Sequence, residues 1–181
     1  MAELGGWVSV STPYVTPRSA GQREAWADEA AQQGGTGTQR LAEVAEVVPP
    51  PAVAAALNVA AAEPVVVRRR VMLLEGRPVE LTDSYYPTSI ARGTRLAQPR
   101  KIPGGAVTLL AELGHRILRV SEDVSACPAT DAEREALVLE PGQWVLQLVR
   151  VATAAAGQPV EASVITMIAR DRHLRYELSV D

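Results

Sequence analysis

Two stretches of apolar, largely β-branched residues, Val65–Leu74 and Val79–Tyr86, flank the polar turn Glu75-Gly76-Arg77-Pro78. A second pair, Trp144–Ala152 and Val160–Ala169, has the same design. Runs of this length bounded by turn residues predict two β-hairpins. The hairpins also copy each other. Gly76-Arg77-Pro78-Val79-Glu80 returns as Gly157-Gln158-Pro159-Val160-Glu161, and Leu57 precedes Arg70 by the same distance as Leu137 precedes Arg150. The second copy has one extra residue ahead of its glycine. Further upstream, Val44–Pro51 and Val124–Pro128 each lead into an Ala-rich stretch. A shared register over such flanks predicts two supersecondary modules, at about 44–87 and 124–170, in one pseudo-symmetric domain. A cleft between the halves is a natural place for a ligand.

The remaining pattern supplies shorter elements. Residues 1 to about 22 carry Thr12-Pro13-Tyr14-Val15-Thr16-Pro17 and no sustained period, which predicts an extended arm or edge segment. Glu24–Gln33 predicts one or two helical turns, stopped by Gly34-Gly35-Thr36-Gly37. Thr38–Val48 predicts a strand, and Pro49-Pro50-Pro51 opens a short helix over Ala52–Leu57. Ala106–Leu113 predicts an amphipathic helix capped by Gly114, and Arg116–Ser125 a strand. Asp131–Ala136 predicts a helix with Thr130 and Glu133 forming a capping box, and Tyr176–Val180 a last strand. Strand, short helix and hairpin, repeated, predicts an α+β fold with a largely antiparallel sheet.

Composition narrows the function more by exclusion. With 181 residues, 47% hydrophobic and 22% charged, the chain fits one globular domain. There is no Phe, so Val, Leu and Ala must build the core. A net charge of -3 gives no bulk reason to bind nucleic acid, and Arg68-Arg69-Arg70 is a weak footprint by itself. The single cysteine, Cys127, excludes an intrachain disulfide and a Cys-based zinc site. The N-terminus lacks the basic and apolar regions of a secretory signal, and no apolar run is long enough to span a bilayer. A cytoplasmic location without membrane association is expected.

Nucleophile elbow, Walker loop, dinucleotide fingerprint and His-Glu-x-x-His are all missing, so no catalytic residue, metal or cofactor is expected. Asp171-Arg172-His173 reads as solvated surface, since adjacent residues of a strand or turn point in different directions. The hairpin faces are more informative. Alternation puts Arg70 with Met72, Glu80 with Thr82 and Ser84, and Glu161 with Ser163, Ile165 and Met167. Such a mixed face is either a solvated sheet surface or a pocket wall on which Arg70 and Glu161 fix a ligand's polar ends.

From Val65 to Pro87, and from Pro159-Val160-Glu161 through Asp171-Arg172-His173-Leu174-Arg175-Tyr176-Glu177, the chain resembles the UTRA domain. This is the effector-sensing half of GntR/HutC-type bacterial transcription regulators, and the resemblance runs from about Thr12 to the end (12–181, with 1–11 an arm). It implies a chorismate-lyase-like fold, a small-molecule effector, no enzymatic activity and a homodimer. The family normally carries an N-terminal winged helix-turn-helix. Nothing of that length precedes Thr12, so DNA binding by this chain alone is not expected.

Members that sense phosphosugars use two arginines one residue apart on the first hairpin strand. Arg70 matches the first, whereas Met72 stands at the second. The family's acidic contact falls at Thr82, its helix-start contacts near Gly105 and Val107, its glutamate at Glu161 and its tyrosine at Met167. Trp26 stands where an aromatic begins the first ligand loop. The expected site is therefore Trp26, Arg70, Met72, Thr82, Glu161, Ser163 and Met167. Without the second arginine a phosphate dianion loses charge-assisted contacts, so a more apolar ligand is expected. A dimerisation module without ligand and a chorismate-lyase-like enzyme are the alternative readings.

Overall fold

The computed structural model describes residues 6–19 and 21–177. Its centre is a six-stranded antiparallel sheet made from the two predicted copies. The first copy is β2 (Gly37–Val47), α3 (Pro51–Leu57), β3 (Val65–Leu74) and β4 (Arg77–Pro87). The second is β5 (Arg119–Pro128), α6 (Asp131–Leu137), β6 (Trp144–Thr153) and β7 (Pro159–Ile168). The strand order β2-β3-β4-β7-β6-β5 places a pseudo-two-fold axis between β4 and β7.

The equivalence extends to backbone detail. Both hairpins carry a β-bulge at the same place, after Met72 in one and after Ala152 in the other. Each turns through left-handed pairs, Glu75-Gly76 and Ala156-Gly157, the geometry that suits the twist of a two-residue hairpin. Both copy helices end in a left-handed residue, Asn58 in α3 and Val138 in α6. The loops that follow are pinned alike: the Glu63 side chain accepts from the Ala60 amide, and Gln143 from the Glu140 amide.

Alternation along the strands gives the sheet two different faces. On the rear, α3 packs Val53 and Leu57 against Val65, Val67, Tyr85 and Ala162. The helix α6 packs Leu137 against Val145, Leu81 and Ile168, and Thr130 and Glu133 form the expected capping box at its start. Each copy helix therefore covers a strand of the opposite copy: α3 reaches Ala162 on β7, and α6 reaches Leu81 on β4. On the front, α4 (Thr88–Ala91) and α5 (Gly105–Glu112) build a second core with Val66, Tyr86, Leu96, Leu110 and Ala152. Buried Arg68 holds the intervening loop by donating to the carbonyls of Leu96, Gln98 and Arg100.

Several sequence expectations need correction. Residues 12–15 form a helical turn, α1 (Thr12–Val15), with proline in its first turn, where the missing amide costs nothing. Upstream, β1 (Trp7–Ser9) pairs in parallel with β8 (Arg172–Leu174). The strand expected at Arg116–Ser125 is observed at Arg119–Pro128, because pairing with β6 rather than local alternation sets its ends. Tyr176 and Glu177 are not in a strand, and the rest of that expected element lies outside the described residues. The motif Asp171-Arg172-His173 is not simply a solvated surface. The Arg172 side chain is 5% exposed, with its guanidinium 5.9 and 6.0 Å from the ring centres of Trp7 and Trp26, which pack against each other at 5.4 Å.

Candidate functional site

The front of the sheet is not fully covered. Between α5, the start of α2 (Ala25–Gln32) and the segment Pro13–Arg18 lies a cleft of about 800 Å³, its open mouth included. Its floor is the polar side of β3, β4 and β7. Register fixes what stands there: Arg70 opposes Thr82, which opposes Ile165, and Met72 opposes Glu80. Gly105, Ala106 and Val107, the first turn of α5, form one wall, so the partial positive charge of this N-terminus, which has no side-chain cap, lies at the cleft. A smaller recess adjoins the cleft past Arg70, toward Leu41, Lys101 and Ile102.

Six of the seven sequence-predicted residues line this cleft: Trp26, Arg70, Met72, Thr82, Glu161 and Ser163. Two placements differ from expectation. Trp26 sits within α2 rather than on a loop; the residue is 3% exposed and its Nε1 donates to the Leu73 carbonyl at 3.0 Å. Met167 is buried beneath the N-terminal segment, beside Leu174, Leu148 and Val10, and borders a separate recess. The reason is the β1–β8 pair, which closes over that end of the sheet.

The floor carries a continuous polar relay. Arg70 Nη2 donates to Ser84 Oγ at 3.0 Å, the hydroxyls of Ser84 and Ser163 are 2.8 Å apart, and Ser163 Oγ donates to Glu161 Oε1 at 2.7 Å. The relay crosses from the first copy to the second. Tyr86, at the cleft edge, stays a neutral phenol, because burial and the nearby Glu161 carboxylate both push its pKa up. Three buried side-chain polar atoms lack a hydrogen-bond partner among the described residues: Arg18 Nε, Gln39 Oε1 and Arg70 Nε. All three side chains line the cleft. Unpaired buried polar atoms are rare enough to need a reason.

Arg150 and Glu80 also line the cleft and were not among the predicted site residues. Arg150 pairs with Glu122 at 2.5 Å, both side chains under 10% exposed, and donates to Ser11. Burial opposes Glu122's ionisation, but Arg150 and the hydroxyl of Ser11 outweigh it and hold its carboxyl below the usual range. Burial raises the pKa of Glu80; the Arg172 guanidinium, 3.7 Å away, and the Thr82 hydroxyl oppose the rise. The signal for both was already in the repeat, which pairs Arg70 with Arg150 and Glu80 with Glu161.

Above the floor the N-terminal segment is tied down through Glu29. Its carboxylate accepts from Trp7 Nε1 at 2.6 Å, Ser9 Oγ at 2.8 Å and the Tyr14 hydroxyl at 3.0 Å. Among the described residues no group of three or more His, Cys, Asp and Glu side chains could hold a metal ion. No described helix is long and apolar enough to cross a membrane.

Residues 32–172 match the UTRA domain family. The chain belongs to the UTRA domain family. UTRA domains are the effector-binding domains of GntR-family transcription regulators, and the chorismate-lyase-like α+β fold expected from the sequence is the one observed. This UTRA domain is 31% identical over 91 residues to an uncharacterised helix-turn-helix transcriptional regulator of Streptomyces coelicolor. That match takes in 49% of this chain and 34% of the regulator, so the chain corresponds to about a third of its length. A solved structure assigned to a GntR-family transcriptional regulator superposes with a TM-score of 0.77 at 26% identity, covering 92% of this chain and 71% of the other. The ligand-binding domain of a GntR-family regulator from Bordetella bronchiseptica has the same fold. Its TM-score is 0.70 at 24% identity, with 91% of this chain and 95% of that one covered.

Proposed function

We propose that this UTRA domain senses a small-molecule effector in the front cleft and belongs to a cytoplasmic GntR/HutC-type regulator. The observation that carries the reading is Arg70, a guanidinium on the cleft floor whose Nε is buried without a partner and which forms no ion pair among the described residues. Glu161 is the second anchor. Around them Met72, Ile165, Val107 and Ala106 present apolar surface, and methionine adapts to irregular shapes. The effector is a mostly apolar metabolite with a few polar groups, not a phosphosugar. Trp26 shapes the wall as a buried strut.

The domain does no chemistry on its ligand and does not bind DNA alone. It acts by holding one of two arrangements of an attached DNA-binding head, an equilibrium that an effector shifts by binding one arrangement more tightly. It works as a homodimer, since β2 and β5 leave two open strand edges and paired heads suit a palindromic operator.

A thermal-shift screen against a metabolite library tests the reading, because a ligand that binds only the native state raises its melting temperature. Arg70→Ala and Glu161→Ala should each weaken a hit by about 1–3 kcal/mol. If no compound shifts the transition, or both variants bind unchanged, the cleft is not the sensor. Micromolar binding of glucosamine 6-phosphate through Arg70 would refute the ligand class. Release of pyruvate from chorismate would refute the non-enzymatic assignment, and a monomer mass in sedimentation the dimer.

A further inference from the structure

The two copies act as an internal control for each other's charges. Arg70 and Arg150 occupy equivalent positions, as do Glu80 and Glu161, and all four line the cleft. In the second copy the arginine is neutralised from its edge strand: Arg150 stands opposite Glu122 in the β5–β6 register and forms a 2.5 Å ion pair with it. In the first copy the same register position, opposite Arg70 on β2, is Leu41. The carboxylates show the reverse. Glu80 has Arg172 at 3.7 Å, whereas Glu161 has no cation within ion-pair distance among the described residues. The other charged groups lining the cleft are paired as well, Arg18 with Asp28 at 2.6 Å and Glu24 with Lys101 at 2.9 Å. One positive and one negative group are left over, on opposite copies. Three hydrogen bonds in series through Ser84 and Ser163 keep them no more than three hydrogen-bond lengths apart.

We propose that the effector is an ampholyte: a small molecule carrying a carboxylate for Arg70 and an ammonium for Glu161, separated by one or two carbon atoms, on an apolar side chain. The proposal rests on the effector-sensing reading above. A ligand with both charges replaces the missing Glu122-like and Arg172-like partners at once. One bearing a single charge leaves the other group desolvated and unpaired, which costs affinity. The spacing suits an α- or β-amino acid. The first-turn residues Gly105 and Ala106 of α5 border the adjoining recess together with Arg70 and without Glu161, so the dipole of this uncapped N-terminus adds to Arg70.

Calorimetric titration of the full chain with three matched series tests this. The first is the apolar α-amino acids, led by L-leucine and L-phenylalanine, with their β-homologues. The second lacks the amine (4-methylpentanoate, 3-phenylpropanoate). The third lacks the carboxylate (3-methylbutylamine, phenethylamine). At least one amino acid should bind about tenfold or more tightly than both of its truncated forms. Arg70→Gln should then reduce its affinity to that of the amine, and Glu161→Gln to that of the acid. Leu41→Glu, which copies Glu122 into the first half, should act like Arg70→Gln while leaving the arginine in place. The proposal is overturned if an acid or amine binds as tightly as its amino acid, if Glu161→Gln or Leu41→Glu leaves affinity unchanged, or if no amino acid binds. In these cases, a library compound of another class that binds through Arg70 would leave the sensing role standing. If no small molecule binds at all, the sensing role falls too.

Discussion

Replacing Val138 by asparagine should stabilise the domain. Val138 ends α6 with φ 56° and ψ 51°, in the left-handed region, and its side chain is 79% exposed. For an L-residue this conformation costs about 1–2 kcal/mol, and a β-branched residue is the worst placed to adopt it. The other copy shows the remedy: the equivalent C-cap is Asn58, at φ 54° and ψ 43°. Because the valine side chain is mostly in water, Val138→Asn gives up little packing and should gain about 1 kcal/mol. For a domain of this size that is roughly 2–4 °C in Tm. Val138→Gly should gain less, since glycine loses about 0.4–1 kcal/mol more chain entropy on folding. The reverse change, Asn58→Val, should cost about 1 kcal/mol. Thermal unfolding followed by circular dichroism measures all three. If Val138→Asn melts at or below the parent, or Asn58→Val is neutral, the backbone strain assigned to this cap is not there.

Three other outcomes follow from the packing and electrostatics. Glu122→Ala leaves Arg150 buried without its carboxylate and should cost about 3–5 kcal/mol in urea unfolding; a loss below about 1 kcal/mol would show the pair to be solvated. Burial raises Glu80's pKa, with Glu29 adding to the rise and Arg172 and Arg70 opposing it, so the folded state keeps this proton to higher pH than the unfolded chain. Stability linked to Glu80 is present below the ordinary carboxylate pKa and falls as pH rises through the folded-state value, so Glu80→Gln should compare better with the parent at pH 7.5 than at pH 4. Equal differences at the two pH values would mean that folding does not raise Glu80's pKa. Gly37→Ala would place a methyl 2.7 Å from Ala30 Cβ and 2.8 Å from Trp26 Nε1, and should cost about 1–3 kcal/mol by overpacking while shifting the tryptophan emission.

The repeat carried most of what the sequence made legible. Hairpins made of aliphatic runs around Gly76 and Gly157 are local, so alternation sorts the faces of each, and the symmetry of the repeat brings Arg70, Thr82, Glu161 and Ser163 to one side. The capping box at Thr130 and Glu133 was readable for the same reason. The β1–β8 pair was not. Its strands are three residues each, Trp7 meets Arg172 from the opposite end of the chain, and no period develops over so short a run. Missing that pair meant missing why Arg172 is buried and why Met167 lies beneath the N-terminal segment rather than in the cleft. Trp26 was expected above the site as a ligand contact, but the absence of a side chain at Gly37 lets its ring sink against β2. The symmetric charges were visible in the alignment of the copies. Their neutralisation was not, because Glu122 and Leu41 lie on edge strands whose register only the folded sheet defines.

The exchange of helices behind the sheet has a consequence for how the domain opens. α3 rests on β7 and α6 on β4, so neither copy can detach without stripping the rear of the other. Cooperative opening units usually follow contiguous supersecondary motifs, but here the helices behind the sheet cross the boundary between the motifs. The two halves must loosen together. The strands carrying Thr82 and Glu161 are clasped from behind by helices from opposite copies, so slow hydrogen exchange should be shared equally by β4 and β7 rather than graded between halves.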